Sequence, residues 1–229
     1  TGALAILMWL SYVVSISLFA KGFAGYFLPL LSISVSHLSM GITEVLLIAF
    51  FTAINSLGSK AVGRLEFYIV LIKLSILGVF ILLGFLQINP DYIVPSLSAD
   101  GLNGTLSAAV VFFLSYMGFG LITNASENME NPKKNVPLAI FTSIAVVMFV
   151  YVAVSFVAIG NLSIAELIKA QDNALAVAAK PFLGSFGFIL ISIGALFSIS
   201  SALNATLYGG ANIAYSLAKD GELPKFFER

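Results

Sequence analysis

Residues 65–87 read LEFYIVLIKLSILGVFILLGFLQ, and beyond Glu66 in the first turn the only charge in that stretch is Lys73. A hydrocarbon core about 30 Å thick is crossed by about 20 apolar residues in a helix. A lone lipid-facing strand cannot satisfy its own backbone, and the alternation of a barrel strand is absent, so the stretch reads as a transmembrane helix. Five more stretches of the same character lie to either side of it. The expected spans are 2–30, 41–58, 65–87, 105–128, 136–160 and 182–217. The predicted fold class is all-α integral membrane, with six transmembrane helices.

Composition agrees. The chain has 229 residues, 59% hydrophobic and 10% charged, with a mean hydropathy of +1.03. A soluble domain is roughly 45–50% apolar and about 25% charged, and a chain of this size has too few charges to cover that much apolar surface. Eleven basic and eleven acidic residues cancel, so no cationic field for nucleic acid exists. The absence of Cys excludes disulfides, thiolate nucleophiles and Cys-ligated metals. A single histidine, His37, in the polar connector SISVSHLSM, leaves no basis for a His-ligated metal or a triad. No cofactor and no metal is expected. The chain starts at Thr1 inside an apolar run, which points to a partial sequence.

Connector charge sets the expected orientation through the positive-inside rule. One side carries Lys60, Arg64, Lys133, Lys134, Lys219, Lys225 and Arg229; the other has only Lys169 and Lys180, partly offset by Glu166 and Asp172. The basic side, with both ends of the segment, is expected in the cytoplasm of a multi-pass plasma-membrane protein. N-glycosylation sequons at Asn103 and Asn161 fall on the outer side. Pro132 and Pro137 flank NPKKNVP, which reads as a helix stop and restart around a basic turn.

Charge inside a membrane is costly and marks function by default. Lys73 lies seven residues past Glu66, about 10 Å deeper along the axis at 1.5 Å per residue. No acid shares its face at i±3 or i±4. Two readings stand at this point: a snorkelling or structural lysine, and a desolvated amine that gains and loses a proton during a cycle. Lys21, Glu44 and His37 read as interfacial or solvated groups.

Span four contains FFLSYMGFGLITNASENMENP, with Ser115, Gly118, Gly120, Thr123, Asn124 and Ser126 near its middle. Glycines there permit an unwound hinge, and broken helices at the midplane are where transporters hold substrate and ion. A small-residue packing face is the alternative. In span six, Ser198 and Ser201 share a face and can hydrogen-bond an amine or coordinate a cation; back-bonded hydroxyls at a packing seam are the alternative.

The run FFLSYMGFGLITNASENMENPKKNVPLAI (112–140) resembles the sixth helix and following loop of amino acid–polyamine–organocation permeases. SSALNATLYGGANIAYSLAKDGELPKFF (200–227) is similar to the family's eighth helix and its cytoplasmic end. Within the family, FAKGFAGYFLPL (19–30), the run around Lys73 and NALAVAAKPFLG (173–184) are most similar to archaeal proton-coupled transporters of broad amino acid specificity. The resemblance covers the whole chain and makes its spans helices 3 to 8 of a twelve-helix permease with the leucine-transporter fold: two inverted five-helix repeats plus two helices. It implies proton coupling through Lys73, with Ser198 as a neighbouring hydroxyl. It implies substrate contacts from Leu114, Ser115, Met117 and Gly118 at the helix-6 break, with Phe113 as an alternative lid, and from Met8, Trp9 and Tyr12 on helix 3.

Some positions depart from the family pattern. Leu114 stands where many members carry an aromatic residue, and Asn212 and Lys219 stand where many carry Arg. Helices 1, 2 and 9–12 are expected to be supplied by the rest of a parent permease. The expected function is import of amino acids by proton symport through alternating access. The nearest alternative is an amino acid exchanger; an uncoupled channel would need a continuous polar stripe that the spans lack. An intramembrane enzyme needs a nucleophile with a base or metal ligands; only a Ser198–Lys73 pair could serve, and an enzyme is not expected. The expected partners are amino acid, protons, lipid and the remaining helices of the parent, with no nucleic acid.

Overall fold

The computed structural model describes residues 2–56, 62–93, 99–116, 118, 122 and 129–228. Eight α-helices are found among them: α1 Gly2–Leu30, α2 His37–Ser56, α3 Val62–Phe85, α4 Ala99–Leu114, α5 Pro132–Asn161, α6 Ile164–Ala170, α7 Ala174–Ala178 and α8 Lys180–Lys219. There is no strand among the described residues. Among the described residues five segments are long and apolar enough to cross a membrane: Leu4–Leu30, His37–Ser56, Phe67–Phe85, Pro132–Asn161 and Lys180–Lys219. α4 contributes a shorter apolar segment, Asn103–Phe113.

The differences from the expected spans have local causes. α2 starts at His37 rather than 41, because the Ser36 hydroxyl accepts the Ser39 amide at 3.1 Å and caps the helix start. His37 is therefore an exposed first-turn residue, not a connector residue. The helix expected over 105–128 instead starts at Ala99 and ends at Leu114. Its last turn tightens: the Ser115 and Tyr116 amides donate to the Phe112 and Phe113 carbonyls at 2.9 and 3.1 Å, the i→i−3 pattern of a helix running out. Of the polar cluster after it, Gly120, Thr123, Asn124 and Ser126 lie outside the described residues.

NPKKNVP is not a stop and restart. α5 begins at Pro132 and continues through Pro137. Proline at the first helical position loses nothing, since that N–H has no helical partner. Pro137 forgoes one bond, to the carbonyl of Lys133, and Lys133 is exposed where water can reach it. Between α5 and α8 the chain forms α6 and α7 where only a connector was expected. α8 is kinked at Gly184, whose φ of 61° suits glycine alone.

α1 packs along α8, and α3 against α8 and α5. The α1–α8 seam is close because its residues are small: Ala20 and Ala24 are fully buried, and a Cβ on Gly210 would touch Tyr12 at 3.4 Å. Such seams let helices approach without relying on the hydrophobic effect, which lipid does not supply between helices. Phe80, Val157, Leu162, Ala176, Ala178, Ala179 and Ile191 form a core at the α6–α7 end. Ala20, Leu47 and Leu203 form a second. Many large apolar side chains face outward, as in a molecule that meets lipid or further helices.

Polar groups tie the helices at both ends. Asn161 is 7% exposed, and its amide donates to the carbonyls of Gly84 (3.0 Å) and Val157 (2.8 Å), joining α5 to α3. The asparagine of this sequon is thus part of the helix packing rather than of the surface. Asn55 donates to Asn204 at 2.7 Å, joining α2 to α8. The Trp9 and Phe227 rings meet edge-on at 5.9 Å, so the two chain ends share one end of the bundle.

Ser192 is fully buried and its hydroxyl has no hydrogen-bond partner among the described residues; an unsatisfied buried hydroxyl costs about 1–3 kcal/mol. Ser192→Ala is therefore expected to raise the melting temperature of the detergent-solubilised protein, and a fall would show that the hydroxyl is satisfied. At α6, the Ser163 hydroxyl and amide donate to Glu166 at 2.6 and 3.0 Å, while the Glu166 amide donates back to the hydroxyl at 3.3 Å. This capping box holds the Glu166 carboxyl below its usual range, the hydroxyl's hydrogen bond first and the amide's second. A carboxyl lowered on folding contributes stability that is present above its unfolded pKa and lost as pH falls through its folded one. The melting temperatures of wild type and Glu166→Gln should differ at pH 7 and converge in acid below the ordinary glutamate range.

Candidate transport site

α3 and α8 run antiparallel. Phe182, early in α8, contacts Phe80 late in α3, with ring centroids 5.4 Å apart, while Gly194 further along α8 lies against Ile76 earlier in α3. One turn back from Ile76 on α3 is Lys73, and one turn on from Gly194 on α8 is Ser198. The two proposed coupling residues thus stand at one level of the helix pair. Both are half-buried. Among the described residues Lys73 has no hydrogen-bond or ion-pair partner. Neighbouring hydroxyls are differently placed: Ser75 donates to the Leu71 carbonyl at 2.8 Å and Thr206 to the Ala202 carbonyl at 2.7 Å, each within its own helix.

The residues implied as substrate contacts fall into two groups. Phe113 lies in the last turn of α4, Ser115 directly after it and Gly118 beyond its end, and all three are exposed. The side chain of Leu114 and all of Met117 lie outside what is described. Met8 is exposed, Trp9 packs edge-on against Phe227, and Tyr12 lies over Gly210. Among the described residues no hydrogen bond or ring contact joins Met8, Trp9 or Tyr12 to the α4 group. Lys21 is exposed and Glu44 half-buried.

Sequence reasoning missed three features. Asn55 and Asn204 carried a signal, being amides within apolar spans. Asn161 was read only as a sequon. Tyr151 carried none: its hydroxyl donates to the Ser115 carbonyl at 3.3 Å and its ring meets Tyr116 edge-on at 5.4 Å, yet in sequence it is one more aromatic residue in an apolar run.

The amino acid permease family matches residues 2–229. The chain is 69% identical over 229 residues to an uncharacterized protein of Methanocaldococcus jannaschii, covering 100% of this chain and 53% of that protein. It is 35% identical over 229 residues to the inner membrane transport protein YbaT of Escherichia coli, covering 99% and 53%. It is 31% identical over 237 aligned residues to the methylthioribose transporter of Bacillus subtilis, covering 97% and 50%. The chain spans about half the length of these curated relatives. Their names are those of transporters rather than enzymes where a function is given. With its apolar spanning helices, the chain is a multi-pass membrane protein of the amino acid permease family.

Proposed function

We propose that the full-length protein is a proton symporter that imports amino acids across the plasma membrane by alternating access, both ends of this segment lying in the cytoplasm. The observation that carries the reading is Lys73: the lone charge of the Phe67–Phe85 span, half-buried, level with Ser198, and without a counter-ion among the described residues. A cation held this way is costly in the membrane and marks function. In the proposed cycle Lys73 is charged while the protein is open outward, held by Ser198 and by groups from helices of the parent outside this chain. Loss of the proton to the cytoplasm removes those bonds, loosens α3 from α8 and favours inward opening. Leu114, Ser115, Met117 and Gly118, with Phe113, form the substrate break, and Met8, Trp9 and Tyr12 line the cavity. The runs 19–30 and 173–184 resemble those of archaeal proton-coupled permeases, and that resemblance favours a proton as the coupling ion.

The test is uptake of labelled amino acids by the full-length protein in proteoliposomes, with an inwardly directed proton gradient or with unlabelled amino acid preloaded inside. Accumulation driven by the gradient into empty vesicles is expected. Uptake that needs internal substrate and ignores the gradient would identify an exchanger instead. Because one relative is named for methylthioribose, a thiosugar belongs in the panel; uptake of it alone would overturn the amino acid assignment.

A further inference from the structure

We propose that Tyr151 of α5 is a positioning residue that latches the end of α4, and so sets where Ser115 and Gly118 sit for substrate; this rests on the transport reading above. Every described side chain of α4 from Asn103 to Phe113 is exposed, so no face of the helix is buried against another described element. A helix in that situation is placed by what holds its ends. At its C-terminal end one side chain from a neighbouring helix makes two contacts on consecutive residues. The Tyr151 hydroxyl donates to the Ser115 carbonyl, and the Tyr151 ring stands against Tyr116 at 67°. The carbonyls at a helix end lack partners in their own helix, and the hydroxyl gives the Ser115 carbonyl a partner from α5 just where α4 ends. The edge-to-face ring contact is a favoured aromatic geometry and fixes the direction from which the hydroxyl arrives. α5 is itself anchored at its far end by Asn161 on Gly84, so the latch connects the proposed substrate break to a part of the bundle that is well packed.

The two contacts are separable. Tyr151→Phe keeps the ring and removes the hydrogen bond; Tyr151→Ala removes both. In the full-length protein, Tyr151→Phe is expected to speed hydrogen exchange at the Ser115 and Tyr116 amides about tenfold, the scale of one lost hydrogen bond, with exchange in α1 and α8 unchanged. Amino acid uptake should show KM raised by a similar factor with the maximal rate preserved, as for loss of a binding interaction, and Tyr151→Ala should go further. A purely structural tyrosine would lower the melting temperature and leave KM alone. Unchanged exchange at Ser115 and Tyr116 overturns the latch, whatever the protein carries. Faster exchange with unaltered KM overturns its role in positioning substrate. Faster exchange in a protein that takes up no amino acid at all upholds the latch and overturns the transport assignment.

Discussion

Gly84→Ala is expected to destabilise the folded protein by about 3 kcal/mol, the upper end of the usual cost of forcing carbon into a packed core. A Cβ at Gly84 would run into Cγ1 of Val157 on α5 and come within 2.8 Å of Cζ of Phe182 on α8. Neither neighbour has room to retreat. Val157 is 1% exposed, and Phe182 is held edge-on by the buried Phe80 ring. The Gly84 carbonyl also accepts the Asn161 amide, so pushing α3 away from α5 breaks that bond and leaves a buried polar group short of a partner. A control lies in the same helix: a Cβ at Gly78 meets nothing within 4 Å. Gly78→Ala should be neutral or stabilising, by about 1 kcal/mol or less on helix propensity. Melting temperatures of the two variants in detergent measure the contrast. Equal values would mean that α3, α5 and α8 do not pack at Gly84 as described.

The helical membrane class was legible because apolar run length is a direct readout of bilayer thickness. The stretch around Lys73 shows this, with the spanning segment Phe67–Phe85 lying inside residues 65–87. What was not legible depends on local hydrogen bonding rather than hydropathy. A serine cap extends α2 to His37, tightened turns end α4 at Leu114, and proline at a first helical position lets α5 absorb a segment that reads as a loop. The Ser163–Glu166 capping box is written in the sequence as S-x-x-E, inside a segment that reads as a connector. At the candidate site, Lys73 stood out because charge is rare in such runs. Tyr151 could not, because an aromatic residue facing a neighbour and one facing lipid look alike in sequence.

Lys73→Ala is the second large effect, on function rather than stability. Removing a half-buried amine with no ion-pair partner among the described residues leaves no orphaned carboxylate behind, so folding should survive. Loss of the only charged side chain of the Phe67–Phe85 span should remove coupling altogether. Substrate binding, which the account places on the α4 end and α1, should persist, and a bound amino acid should still raise the melting temperature. Methionine at this position, which restores length without charge, should behave as alanine does.

The most direct measurement compares amino acid accumulation by wild type and Lys73→Ala in proteoliposomes, across matched inwardly directed proton gradients. The account predicts that wild type accumulates substrate above the external concentration in proportion to the gradient, while Lys73→Ala binds substrate and does not concentrate it. Gradient-driven accumulation by the alanine variant equal to that of wild type would contradict the account.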